Sequence, residues 1–273
     1  MALDQVKDDS NMSFLDHLDD LRKHLFRASI FVILGTVISF IYADFLVDIV
    51  LFAPTRSDFP TIKAFCSIGQ KIYSDDRLCF KNISLNMQNI DVAGQFVYSF
   101  KMAFIGGIIL AFPFIINQVW LFIKPALGPK EIRKTRFLTL YTSFLFFIGV
   151  LFGYFLLSPI SLQFFVNYKL SPNIANNFSF QSVINLVSML CLATGAIFQL
   201  PLLMYFLAKI GLITTQFLKK NRRYAIVIIV ILAAIVTPPD VLSQFILVIP
   251  LLGLYEIGII IVKKVEKNQK TAT

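Results

Sequence analysis

Histidine and charge are scarce in this chain of 273 residues, which has two histidines and 15% charged residues against 57% hydrophobic ones. A soluble fold of this size does not need so much apolar side chain, so the composition points to a membrane protein. Three cysteines at no metal-ligand spacing exclude a zinc or iron–sulfur cage. His17 and His24 lie seven residues apart, where a helical metal pair would need a spacing of four, so no metal site is expected. There is no nucleophile–base pair, glycine-rich phosphate loop or pair of carboxylates within one segment, which argues against an enzyme and implies no cofactor. No A-x-A-like cleavage pattern closes the first apolar segment, so a retained span is expected rather than a signal peptide. Low-complexity tracts and tandem repeats are also missing, and a single integral membrane domain over 1–273 accounts for the chain.

What is present begins with Ser13 to Leu25, SFLDHLDDLRKHL. Phe14, Leu15, Leu18, Leu21 and Leu25 recur at helical intervals and form one stripe, while Asp16, Asp19, Asp20, Arg22 and Lys23 occupy the rest. Residues 1–24 therefore form an amphipathic lead-in to the membrane. Asp19 with Lys23 and Asp20 with His24 have the favourable order for (i, i+4) pairs, each adding about 0.2–0.5 kcal/mol of helix.

The apolar segments predict an all-α polytopic membrane protein with six transmembrane helices, near 25–45, 96–123, 137–157, 182–207, 224–236 and 241–262, the last two short. The second span holds 28 residues, about 42 Å of helix against a hydrocarbon core of roughly 30 Å, and Pro113 is expected to kink it. Residues 224–236 would make only about 20 Å of helix, too little for a normal bilayer, and suggest a shallow hairpin with the following segment through Thr237 to Asp240. Between the spans lie a long loop from Asp44 to Gly94 with Pro54 and Pro60, a basic loop from Lys124 to Arg136 whose single acid is Glu131, and a polar loop from Ser158 to Gln181.

Lysine and arginine set the orientation. Eighteen of the 25 fall at or before Arg27, in 124–136, in 209–223 or after 262, which predicts that these segments and both termini are cytoplasmic. The loops around Cys66, Ser171 and Pro239 are then outside. Cys66 and Cys79 share the oxidising-side loop and are expected to form a disulfide, a closure of about 3 kcal/mol in the chain-entropy estimate, while Cys191 within the fourth span stays free. Four polar positions remain. Asp20 and Glu131 each read on their own as solvated partners of nearby bases, Gln199 as interhelical glue beside the break at Pro201, and Glu256 as a snorkelling acid. A small-solute secondary transporter, the alternative reading, would require a charged midplane site and repeats that are not seen.

Three separated motifs decide between these readings. His17-Leu18-Asp19-Asp20-Leu21-Arg22, the run Pro113-Phe114-Ile115-Ile116-Asn117-Gln118-Val119-Trp120 continuing through Phe122, Pro125-Ala126-Leu127 and Glu131, and Thr237-Pro238-Pro239-Asp240-Val241 together resemble the TatC family, the receptor subunit of the twin-arginine protein translocase. The resemblance covers nearly the whole chain. It implies a glove-shaped six-helix receptor in the inner membrane that binds twin-arginine signal peptides of folded cargo, recruits the single-span subunits TatA and TatB, self-associates in the receptor complex and works on the proton gradient. It further implies that Asp20 and Glu131 read the two arginines with Phe122 and Arg22 nearby, that Gln199 and Glu256 contact partner subunits, and that Pro54, Pro113 and Asp240 are structural. This chain departs from the family in three places. Asp20 and Gln199 stand where relatives have glutamate, and the first outer loop is longer and carries the cysteine pair. An amine reagent that cannot cross membranes, applied to intact cells, should label Lys169 and spare Lys130; the opposite pattern would invert the topology.

Overall fold

The structure is a computed structural model that describes residues 14–56, 58–73, 87–123, 135–171, 173 and 176–270. Its main elements are α1 (Phe14–Ile41), α2 (Pro60–Tyr73), α3 (Gly94–Ile123), α4 (Thr135–Phe152), α5 (Ser158–Asn167), α6 (Phe180–Ile197), α7 (Leu200–Lys209), α8 (Thr215–Lys220), α9 (Arg222–Val236) and α10 (Val241–Lys270). Two-residue strands β1 (Met87–Gln88) and β2 (Phe178–Ser179) pair in parallel, Met87 opposite Phe178. Among the described residues, five helical stretches are long and apolar enough to cross a membrane: Leu18–Ile41, Gly94–Ile123, Phe137–Asn167, Phe180–Lys209 and Val241–Gln269. Contacts divide the chain into two compact units, one of residues up to Ile41 with Ala103–Phe144, the other of Tyr42–Met102 with Leu145 onward.

In the first unit α1 and the later part of α3 run antiparallel in close contact. A Cβ at Gly35 would stand 2.7 Å from the Gly107 carbonyl oxygen, so the crossing exists because neither position carries a side chain. One turn further along, Phe31 stacks on Phe114 with centroids 4.7 Å apart and planes 11° from parallel. The outer face of α1 presents Phe26, Ile30, Ile33, Leu34, Val37 and Ile41, an apolar surface suited to lipid. Helix α3 continues through Pro113 as one element.

The second unit is built on α6, α7, α9 and α10, with Leu190, Phe198, Met204, Ala233, Leu247, Leu251 and Val262 in its core. Helix α4 approaches α6 at Gly149, where a Cβ would stand 2.7 Å from the Thr194 carbonyl oxygen, and Thr194 Oγ1 donates to the Gly149 carbonyl at 2.8 Å. A π turn at Gly153–Leu157 links α4 to α5 without a break in the rod. The segment after α1 folds against that turn. Buried Pro54 opens a 3₁₀ turn at Ala53–Thr55, Tyr154 donates to the Val50 carbonyl at 2.5 Å, Thr61 donates to the Phe155 carbonyl, and Phe59 stacks on Phe155.

Two boundaries differ from the sequence reading. The expected polar loop at Ser158–Gln181 begins as helix: the rod continues through Pro159, the Phe155 carbonyl four residues back accepts from Thr61 in place of the N–H that proline lacks, and residues from Ser158 to Gln163 are buried. The last span is not short. α10 runs on to Lys270 since its lysine-rich tail is a good helix former and is held by buried Val262 and Val265, by Glu266 on Thr215 and by Gln269 on the Lys209 carbonyl. α9, by contrast, is short as expected, with 15 residues. The long loop contains α2, whose Cys66 is disulfide-bonded while Cys191 is free and buried; Cys79 lies outside the described residues.

The α1–α3 crossing makes a stability prediction. Gly35→Leu should destabilise the protein by about 1–3 kcal/mol through overpacking against Gly107, read as a lower thermal midpoint in detergent. Gly253→Ala, where an added Cβ meets nothing within 4 Å, is the control and should leave the midpoint unchanged.

Candidate functional site

The antiparallel pairing of α1 with α3 fixes which of their polar residues meet. Gly35 lies beside Gly107, Phe31 beside Phe114 and His24 beside Gln118, so continuing the register toward the start of α1 brings Asp20 level with Phe122. His24 joins the two helices. Its Nδ1 lies 2.8 Å from Gln118 Oε1, and its ring meets Phe122 edge-on with centroids 6.4 Å apart. Gln118 is buried and Trp120, on the same turn, is 1% exposed. An amide buried among apolar helices has to find a partner inside the protein, and the imidazole supplies it.

This geometry corrects the expected pairing of Asp20 with His24. The imidazole turns to the neighbouring helix, while Asp20 takes Lys23, three residues on, at 3.3 Å. Positions three apart on a helix are neighbours as well. Their side chains are 37% and 65% exposed, so the pair is a surface one that stabilises little and exchanges easily with another cation. Asp20 thus stands half-buried at the open end of the pair with Arg22 exposed beside it. Glu131 lies outside the described residues, nine positions beyond Phe122 in the chain. His24 and Gln118 were not singled out as site residues from sequence. The signal was there in part, since Asn117 and Gln118 are the polar interruption of an otherwise apolar run.

The remaining expected site residues sit in the second unit. Gln199 is the residue before α7, at a break where its own backbone N–H turns to Ala196, and its Nε2 donates at 3.4 Å to the Gly195 carbonyl that a regular helix would have satisfied with that N–H. Glu256 on α10 forms an ion pair with Arg222 at the start of α9, and neighbouring Tyr255 donates to the Leu218 carbonyl at 3.0 Å. Asp240 is 1% exposed and opens α10: Oδ1 accepts from the Ser243 N–H at 2.6 Å and Oδ2 from Ser161 Oγ at 3.1 Å, with the two serine hydroxyls 2.8 Å apart. That network ties the turn before α10 to α5 and is a capping arrangement. No cluster of three or more potential metal ligands occurs among the described residues.

Three comparisons bear on this arrangement. The family model described as Sec-independent protein translocase protein (TatC) matches residues 16–250. The chain is 38% identical over 266 residues to the Sec-independent protein translocase protein TatC of Blattabacterium sp. subsp. Periplaneta americana, covering 97% of this chain and 100% of that protein. It is 35% identical over 254 residues to the TatC of Desulforapulum autotrophicum, covering 93% and 85% of the two chains. A crystal structure of the twin arginine translocase receptor TatC superposes with a TM-score of 0.66 at 30% identity, over 92% of this chain and 99% of that one. A second, in DDM, gives 0.69 at 31% identity over 89% and 98%.

A double-mutant cycle of His24→Leu and Gln118→Leu, read by thermal unfolding in detergent, should give a coupling of about 0.6–1.7 kcal/mol, the range for hydrogen bonds between membrane helices. Additive effects would show that the two side chains do not act as a pair.

Proposed function

We propose, because this chain belongs to the TatC family, the receptor subunit of the Sec-independent twin-arginine protein translocase, that the Asp20 end of the α1–α3 pair reads the paired arginines of a signal peptide. The protein is a multi-pass membrane component of protein transport and not an enzyme. The observation that carries the proposal is the half-buried carboxylate of Asp20, whose partner among the described residues is an exposed lysine on its own helix.

The electrostatics favour this reading. With a net charge of +9 and basic segments gathered on one side, the general field repels a peptide carrying two adjacent arginines, so binding has to come from carboxylates at close range. A guanidinium offers a planar fork that a carboxylate accepts with two parallel bonds; a lysine ammonium cannot reproduce it. Asp20 supplies one such acceptor and Glu131 the second. On binding, a substrate guanidinium displaces Lys23 from Asp20, exchanging a weak surface pair for a bidentate one. Phe122, held edge-on to His24, gives the site an apolar wall, and Arg22 borders it.

The finer assignments belong to the same proposal. Both termini and the arginine-reading site face the cytoplasm, the membrane is the inner one, the whole chain acts as one integral domain, and the proton gradient drives transport. Cys66 pairs with Cys79 in the outer loop. The single-span subunits TatA and TatB, one or both, dock on the second unit with Gln199 and Glu256 as contacts, and copies of the receptor associate. Glu256 meets such a partner as a half of its pair with Arg222, so it presents a dipole more than a bare charge.

Binding of a labelled twin-arginine peptide to the protein in nanodiscs tests the site. Asp20→Asn and Glu131→Gln should each weaken binding by one to two decades, the equivalent of about 1.5–3 kcal/mol for a charge-assisted pair, while Asp20→Glu retains it. Unchanged affinity in both neutral variants would reduce the two acids to solvated partners of nearby bases.

A further inference from the structure

Lys101 is the single charged residue among the 30 of α3, and the 18 residues of α6, which packs beside it, include none. Its ammonium donates to Asn185 Oδ1 at 2.6 Å and lies 5.6 Å from the centre of the Tyr98 ring; Asn185 Nδ2 in turn donates to the Tyr98 hydroxyl at 3.4 Å. Both partners are neutral. Among the described residues the acids nearest along this end of the chain have other surroundings: Asp91 accepts from Gln181 at 3.0 Å, and Asp44 and Asp48 line a separate cavity of about 310 Å³ with Gln95 and Ser99, two positions that the helical repeat places on the far side of α3 from Lys101. The lysine side chain is exposed, as are Val97, Phe100 and Phe104 on the same helix.

The depth of this cation follows from helix length. α3 is about 45 Å long against a core of roughly 30 Å, so an even overhang leaves about 7 Å outside at each end. Lys101 is seven residues, about 10 Å, from Gly94, and Asn185 five residues, about 7 Å, from the start of α6. The Lys101 backbone thus sits only a few ångströms inside the hydrocarbon edge, and its stem lifts the ammonium to the level of the headgroups. A charge in a span normally faces the protein interior and finds an opposite charge; here it faces lipid, fixed in direction by an amide and a ring, with donors to spare.

We propose that Lys101, Asn185 and Tyr98 form a phospholipid site, in which the Lys101 ammonium holds the phosphate of a lipid in the leaflet around the Gly94 end of α3 and the acyl chains lie along Phe100. A phosphate at that depth is already part of the headgroup layer, whereas the carboxylate of a partner helix would have to be taken out of water to reach the same point. The site depends only on the chain being embedded in a bilayer and not on the arginine-reading role of Asp20.

Native mass spectrometry of the purified full chain, with added phosphatidylglycerol, phosphatidylcholine or phosphate-free diacylglycerol, tests it. The wild type should retain either phospholipid over diacylglycerol, Lys101→Met should lower phospholipid retention about five- to tenfold, and Lys101→Arg should preserve it. Asn185→Leu reads the same site if Lys101→Met fails to accumulate, and should also lose the preference for phosphate. Equal retention of diacylglycerol by the wild type, or unchanged phospholipid adducts in Lys101→Met, would overturn the proposal. So would loss of a co-purifying single-span subunit from Lys101→Met with its lipid adducts intact, which would assign the cation to a protein carboxylate.

Discussion

In the hydrocarbon of a bilayer no water is available to a stranded polar group, and that constraint organises this protein. Several buried polar residues are tied to another part of the chain. Gln118 meets His24, Thr194 closes on the Gly149 carbonyl, Gln199 serves the Gly195 carbonyl that its own backbone abandons, and Asp240 is held by Ser161 and the Ser243 N–H. A side chain that would be a minor surface feature in a soluble protein becomes a fixed cross-link between helices. This is why a chain so poor in polar residues places those it has at helix crossings and breaks.

Close approach is the companion of that constraint. Lipid tails are as apolar as leucine, so helices gain little by hiding apolar surface from lipid and associate through fit. Gly35 with Gly107, and Gly149 with Thr194, bring backbones close together, and at the second crossing the Thr194 hydroxyl reaches the Gly149 carbonyl. The π turn at Gly153–Leu157 works in the same direction, exposing the Phe155 carbonyl to Thr61 and giving Phe59 a ring to stack on. Within the second unit, the segment between α1 and α3 is thereby fastened to the turn between α4 and α5 by a few directed contacts.

The proposed recognition of paired arginines uses a deliberately weak arrangement at the end of a rigid one. His24, Gln118 and the Phe31–Phe114 stack lock α1 to α3, while Asp20 one turn away has an exposed lysine as its partner among the described residues. Rigidity below and exchangeability above let a ligand guanidinium replace Lys23 without moving the helices.

Much of this was legible without coordinates. Runs of apolar residues marked the long helices and three motifs identified the family, because each of these signals is local along the chain. The shortness of α9 was also readable from residue count alone. Other features were decided only in three dimensions. Ser158–Pro159 reads as the end of a span, yet the Phe155 carbonyl that the proline leaves without a donor is taken by Thr61 and the residues after the proline are covered by neighbours, so the rod continues to Asn167. The lysines after Val262 read as a tail, and contacts with α7 and α8 make them helix. His24 has the spacing to pair with Asp20, and it was the burial of Gln118, ninety-four residues away, that turned it to another helix. A sequence states which groups need partners; which partner each one takes depends on the register of helices far apart in the chain, and that is a property of the tertiary structure.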